Sequence, residues 1–216
     1  VNSTLNRTPL NLRAVRPGHQ KLLRGPLDSL RARQALFQQA EKQFHYPEGA
    51  PGLMGFTDTR FNVNLSILFT ELPLLERPAA ARAAGFTAVE LWWPWVDAPV
   101  PGQGELAALR AALVDAGTRL VGLNFYAGRL PGPDRGALSV PGEESERFRA
   151  NVPVAVEFGR SLGCTSFNAL YGNRVEGVPA AEQDALALEN LAFAARAVAE
   201  VGGTLLIEAL NAPESP

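Results

Sequence analysis

The chain has 216 residues, 46% of them apolar and 19% charged, which excludes disorder throughout and fits a folded soluble protein. No run approaches the ~18 apolar residues of a membrane span, and no signal-like apolar region follows the N-terminus, so a cytoplasmic protein without a membrane partner is expected. Cys164 is the only cysteine, which excludes an internal disulfide or a thiolate zinc cluster and fits a reducing compartment.

Charge divides the chain. Residues 1–53 carry eight Lys/Arg against three Asp/Glu, a net +5, and the remainder carries a net −7. The basic leader has no cluster tighter than Arg31 and Arg33 and little aromatic interleaving, so no nucleic-acid partner is expected. Leu30, Phe37 and Phe44 recur every seven residues and suggest a short helix there. Met54, the only methionine, stands just before the strand-like run 61–69. The expectation is that the natural protein starts at Met54, that 1–53 is a leader outside the fold, and that 54–216 is the folded part.

From residue 61 a pattern repeats: a β-rich run, a loop, an amphipathic or Ala-rich stretch, then a glycine. It predicts strands at 62–68, 87–92, 119–124, 165–170 and 204–210, and helices at 73–84, 104–116, 144–162 and 180–201. Gly85, Gly117, Gly163 and Gly202 are the expected helix stops. Pro153 lacks the amide that a helix interior needs and is expected to break or kink the third helix near Asn151. The alternation of strand and helix defines an α/β fold with a parallel sheet, either doubly wound or a (βα)8 barrel. No Gly-rich phosphate fingerprint follows any strand, which counts against a nucleotide-binding sheet.

Both architectures bind ligands at the carboxyl ends of the strands. The polar residues there are Asn64, Glu90, Asn124, Asn168 and Glu208. A carboxylate after the apolar strand ending at Ile207 is costly to bury without a metal, a proton-transfer partner or a cationic side chain, so Glu208 has a catalytic and a structural reading. Glu90 fits structural hydrogen bonds inside a barrel, and Trp92, Trp93 and Trp95 fit packing at the same mouth. The long loop 126–143 reads as a lid or as disordered, and its Arg129 or Arg135 could clamp a substrate carboxylate. Glu189 and Asn190, in mid-helix, are assigned to structure. The two histidines, His19 and His45, lie in the leader, so imidazole metal ligation and a Ser-His-Asp triad are excluded from the folded part.

The stretches 64–71 (NLSILFTE), 84–91 (AGFTAVEL), 134–142 (DRGALSVPG), 189–191 (ENL) and 206–210 (LIEAL) resemble hydroxypyruvate isomerase and 2-oxo-tetronate isomerase, within the xylose-isomerase-like (βα)8 barrels. The resemblance runs from about Phe61 to Pro216 and does not cover the leader. It implies interconversion of hydroxypyruvate and tartronate semialdehyde, or of a related 2-oxo sugar acid, through an enediol. It also implies a divalent Mg²⁺ or Mn²⁺ ion and a strand-five glutamate, here Glu208, on the metal and near the moving proton. Ala209 follows where many hydroxypyruvate isomerases have proline, and Asn124 stands where some relatives have histidine, so that histidine's role does not carry over.

Against such a barrel of eight strands, five are expected here. The chain thus reads as C-terminally truncated, with strand five an unpaired edge that invites association with a second copy, and with little or no isomerase activity by itself. Asn64, Glu90, Asn124, Arg135 and Asn168 are the expected substrate-binding residues, and Glu208 the catalytic and metal residue. Two alternatives remain: a ketose 3-epimerase on the same barrel, and a non-catalytic barrel fragment used in binding or assembly. Abasic-site endonucleases share the barrel but use several histidines, and the histidine-free segment 46–216 counts against them.

Overall fold

A computed structural model describes residues 61–208; the leader, its sevenfold stripe and Met54 lie outside the described residues. The elements are β1 (Asn62–Asn64), α1 (Arg77–Ala83) entered through a 3-10 turn at Leu74–Glu76, β2 (Ala88–Leu91), α2 (Gln103–Asp115), β3 (Arg119–Asn124), α3 (Glu143–Ser161), β4 (Ser166–Ala169), α4 (Ala180–Glu200) and β5 (Thr204–Ile207). Each α-helix ends two residues before a glycine with positive φ, at Gly85, Gly117, Gly163 and Gly202, as the sequence leads one to expect. Among the described residues no helix is long and apolar enough to cross a membrane.

Two local expectations are corrected. β1 stops at Asn64 rather than 68, because the Asn64 side-chain oxygen accepts the Ser66 amide at 2.8 Å and its carbonyl accepts the Leu68 amide at 3.0 Å. A local side-chain bond thus replaces the sheet ladder with a turn. α3 runs unbroken through Pro153. Pro153 and Arg149, whose carbonyl loses its helical donor, are both on the exposed side, where water can reach that carbonyl. The next turn is held from within: the Asn151 side chain accepts the Tyr126 amide at 2.8 Å and donates to the Pro99 carbonyl at 2.9 Å.

All strands are parallel and pair in the order β1-β2-β3-β4-β5. A doubly wound sheet would reverse its order at a switch point. Strictly sequential neighbours are the pattern of a barrel wall, so the structure selects the barrel of the two architectures. Val63, Leu65, Val89, Leu91, Leu123, Phe125, Phe167 and Ala169 alternate onto one face and are buried. There Phe125 stacks on Phe167 at 5.7 Å and meets Phe148 of α3 edge-on at 5.8 Å. Gly159 lets α3 approach this layer, since a Cβ there would sit 2.7 Å from the Phe167 ring. Trp93 packs edge-on against Trp95 at 5.1 Å and Phe158 at 6.4 Å, so these indoles pack on the helix side.

Candidate active site

The same alternation that buries the phenylalanines turns the intervening side chains to the opposite face. Register pairs Asn64 with Glu90, Glu90 with Gly122, Asn124 with Asn168, and Asn168 with Leu206. Glu208, two residues beyond Leu206, falls on that face too. The structure therefore brings Asn64, Glu90, Asn124, Asn168 and Glu208 onto one surface at the carboxyl ends of the strands. A bulge between Val89 and Glu90 sets the β2–β3 register that puts Gly122, and no side chain, beside Glu90.

Two amide-to-carboxylate contacts organise this face. Asn62 Nδ2 donates to Glu90 Oε2 at 3.0 Å, and Asn168 Nδ2 donates to Glu208 Oε2 at 2.9 Å. Each bond fixes the orientation of its carboxylate on the polar face. Asn64 is spent on its own turn. Among the described residues, two buried polar side-chain atoms have no partner: Nδ2 of Asn124 and Oδ1 of Asn168. Buried polar groups in native proteins are nearly always paired, so this neighbouring pair at strand ends is a candidate ligand contact.

Arg135 bonds within its own loop. Its guanidinium donates to the carbonyls of Gly132 and of Asp134, the latter at 2.9 Å, and so shapes its own loop. Arg129 pairs with Asp97 at 2.7 Å across an exposed surface. The loop itself is fastened over the end of β4. Gly136 and Tyr171 form an antiparallel bridge, the Leu138 amide donates to the Leu170 carbonyl at 3.2 Å, and the Ser139 amide donates to the Tyr171 carbonyl at 2.8 Å.

Residues on α4 hold the loop from beneath. Asn190, fully buried, donates to the Leu138 carbonyl at 2.8 Å and to Ser145 Oγ at 2.9 Å, and accepts from Arg149 Nε at 2.6 Å. Gln183 donates to the carbonyls of Ser139 at 3.2 Å and Asn173 at 3.1 Å. The stretches 134–142 and 189–191, far apart in sequence, thus meet in space. Sequence reasoning missed Gln183, whose signal was a buried amide on an otherwise apolar stripe. It also missed Tyr126, whose hydroxyl donates to Glu144 at 3.0 Å and accepts from Arg147 at 3.3 Å. Burial raises the Tyr126 phenol above its ordinary range, and the Arg147 contact pulls partly the other way.

A groove of about 460 Å³ lies between α2 and α3, lined by Leu106, Arg110, Val154, Glu157 and Phe158, on the helix side and away from the strand ends. Among the described residues no group of three or more His, Cys, Asp or Glu converges to hold a metal ion. Glu208 is a hard oxygen donor suited to Mg²⁺ or Mn²⁺, but the described residues give it no companion ligands.

Residues 78–216 match the family model described as xylose isomerase-like TIM barrel. The chain belongs to that family. A candidate hydroxypyruvate isomerase of Streptomyces coelicolor is 77% identical over 163 residues, covering 76% of this chain and 58% of that protein. The 2-oxo-tetronate isomerase of Cupriavidus necator is 36% identical, covering 73% of this chain and 57% of its own length. The hydroxypyruvate isomerase of Escherichia coli is 32% identical, covering 70% and 56%. The chain spans less than three-fifths of the length of these curated relatives. Among solved structures, a family 2 AP endonuclease from Brucella melitensis matches with TM-score 0.58 and 32% identity over 71% of this chain and 56% of that one. A D-psicose 3-epimerase matches with TM-score 0.55 and 17% identity, covering 73% and 55%, a likeness of fold alone. Five parallel strands in sequential order agree with this family's barrel.

Proposed function

We propose that the enzyme carrying this chain is an isomerase that interconverts hydroxypyruvate and tartronate semialdehyde, or a closely related 2-oxo sugar acid. The observation that carries the reading is the Asn168–Glu208 contact at 2.9 Å, on the face and at the strand end where barrel enzymes react. The names of the relatives point to the same reaction class.

In hydroxypyruvate the C3 carbon carries the hydroxyl and C2 the carbonyl. Glu208, positioned by the Asn168 amide, takes a proton from C3; the C–H electron pair forms the C2–C3 double bond while the C2 carbonyl π pair moves onto its oxygen, giving an enediolate. A proton passes from O3 to O2, the O3 electron pair re-forms a carbonyl at C3, and the carbon-bound proton returns to C2, with no net gain or loss of atoms or electrons. A divalent ion, when bound, would stabilise negative charge on the enediol oxygens, with Glu208 as one ligand and the others from sequence beyond the described residues. The polar row of Asn64, Glu90, Asn124 and Asn168 would orient a small hydroxylated acid, and the loop anchored by Asn190 would limit water at its edge.

The test is turnover of hydroxypyruvate by the full-length enzyme and by its Glu208→Gln variant. Activity in the parent that falls at least a thousandfold in the variant, with unchanged circular dichroism, supports the reading. Epimerisation of neutral ketoses without turnover of the acids would replace it with the epimerase reading.

A further inference from the structure

We infer that Asn124 and Asn168 form a subsite that reads a hydroxyl group, the Asn124 Nδ2 donating to its oxygen and the Asn168 Oδ1 accepting its proton. The inference deepens the proposed isomerase reading and rests on it for the identity of the substrate, but not for the chemistry of the pair.

Asn124 is 8% exposed, and its Nδ2 has no partner. The orientation of Asn168 is settled by chemistry: Glu208 Oε2 can only accept, so the group facing it is the NH₂, and the carbonyl Oδ1 is the atom left over. The two residues are register partners on adjacent parallel strands, which run about 4.8 Å apart. Neighbouring asparagines at that spacing can bond directly to each other; here they do not, and one donor and one acceptor stand side by side unsatisfied.

A hydroxyl is the simplest group that both accepts and donates. A single oxygen at hydrogen-bond distance from each side chain bridges such a gap. A carbonyl or carboxylate oxygen would satisfy Asn124 alone, an ammonium group Asn168 alone, and a methyl group neither. Because the same Asn168 amide also holds Glu208, the hydroxyl is read beside the carboxylate that moves the proton. In the proposed reaction that hydroxyl is the one on the carbon being deprotonated, so the pair tells a 2-oxo-3-hydroxy acid from its deoxy analogue.

A high-resolution crystal structure of the ligand-free, full-length protein tests the pair directly. An ordered water within 3.2 Å of both Asn124 Nδ2 and Asn168 Oδ1 is expected; a dry gap, or the two amides bonded to each other, overturns the inference. The second arm compares binding of hydroxypyruvate with pyruvate, which lacks the hydroxyl, by calorimetry. The wild type should prefer hydroxypyruvate at least tenfold. Asn124→Leu, which removes the unpartnered donor and should keep or raise the melting temperature, should bring the ratio near one, and Asn124→Ala repeats the test with less bulk. An unchanged ratio in a folded variant overturns the inference. If the wild type binds neither acid, the isomerase reading fails. The subsite then stands if glycerol displaces the bridging water and falls if it does not.

Discussion

A Cβ on Gly136 would lie 2.2 Å from the carbonyl oxygen of Leu170, and Gly136 already has a φ of +131°. The loop can lie against the end of β4 only because this position has no side chain. Gly136→Ala should therefore cost about 3 kcal/mol or more, from overpacking and backbone strain together. Gly104→Ala is the contrasting change. Gly104 sits in α2 with nothing within 4 Å of its would-be Cβ, and alanine there should stabilise by up to about 1 kcal/mol. Urea midpoints of the two variants should move in opposite directions.

Asn190→Leu removes the donor on which the Leu138 carbonyl and Ser145 Oγ depend. A buried carbonyl left without a partner makes a loss of about 3 kcal/mol the expected result. Hydrogen exchange should show the amides of Leu138 and Ser139 opening more readily than in the parent. Leu188→Ala, two residues earlier at a side chain 67% exposed, should stay within about 0.5 kcal/mol.

Alkaline pH should destabilise the fold through two buried acids. Burial raises the Cys164 thiol above its ordinary 9.0 and the Tyr126 phenol above its ordinary 10.0. Both are neutral when protonated, so the unfolded chain releases these protons at lower pH than the folded one. Stability from this source is intact below about pH 9 and falls as pH rises through the unfolded pKa values toward the folded ones. Urea midpoints between pH 7 and 11 should trace that decline, and Tyr126→Phe should make its upper part shallower. A decline identical in the two proteins would refute the role given to Tyr126.

Treating the full-length enzyme with EDTA should abolish isomerase activity, and adding Mg²⁺ or Mn²⁺ should restore it. Glu208→Gln should weaken Mn²⁺ binding measured by calorimetry, because an amide oxygen is a poorer ligand for a hard cation than a carboxylate. Full activity after chelation and dialysis would remove the divalent ion from the proposal.

The barrel wall was legible because its signals are local. Apolar strand runs and terminal glycines place β2 to β5 and all four helices within a few residues. β1 was drawn too long because the Asn64 side chain diverts the backbone, an event that composition alone does not reveal. Pro153 misled for a related reason: its cost depends on whether water reaches the Arg149 carbonyl, and the face that Pro153 occupies decides that. Asn64, Glu90, Asn124, Asn168 and Glu208 were named from strand ends alone, and register is what puts them on one face. The loop arginine rested on a different kind of signal. Whether Arg135 points to a ligand or to its own backbone depends on the path of residues 129–136, which no periodicity encodes.

The fastening of the loop by α4 also bears on how the protein is made. Asn190 bonds to Leu138 across 52 residues and Gln183 to Ser139 across 44. On the ribosome the loop therefore emerges well before the side chains that hold it. Until Gln183 and Asn190 follow, Leu138 and Ser139 are exposed to water, to proteases and to chaperones that bind apolar segments. The edge of the candidate site is set only when α4 docks, which ties the shaping of the polar strand-end face to the late stage of synthesis.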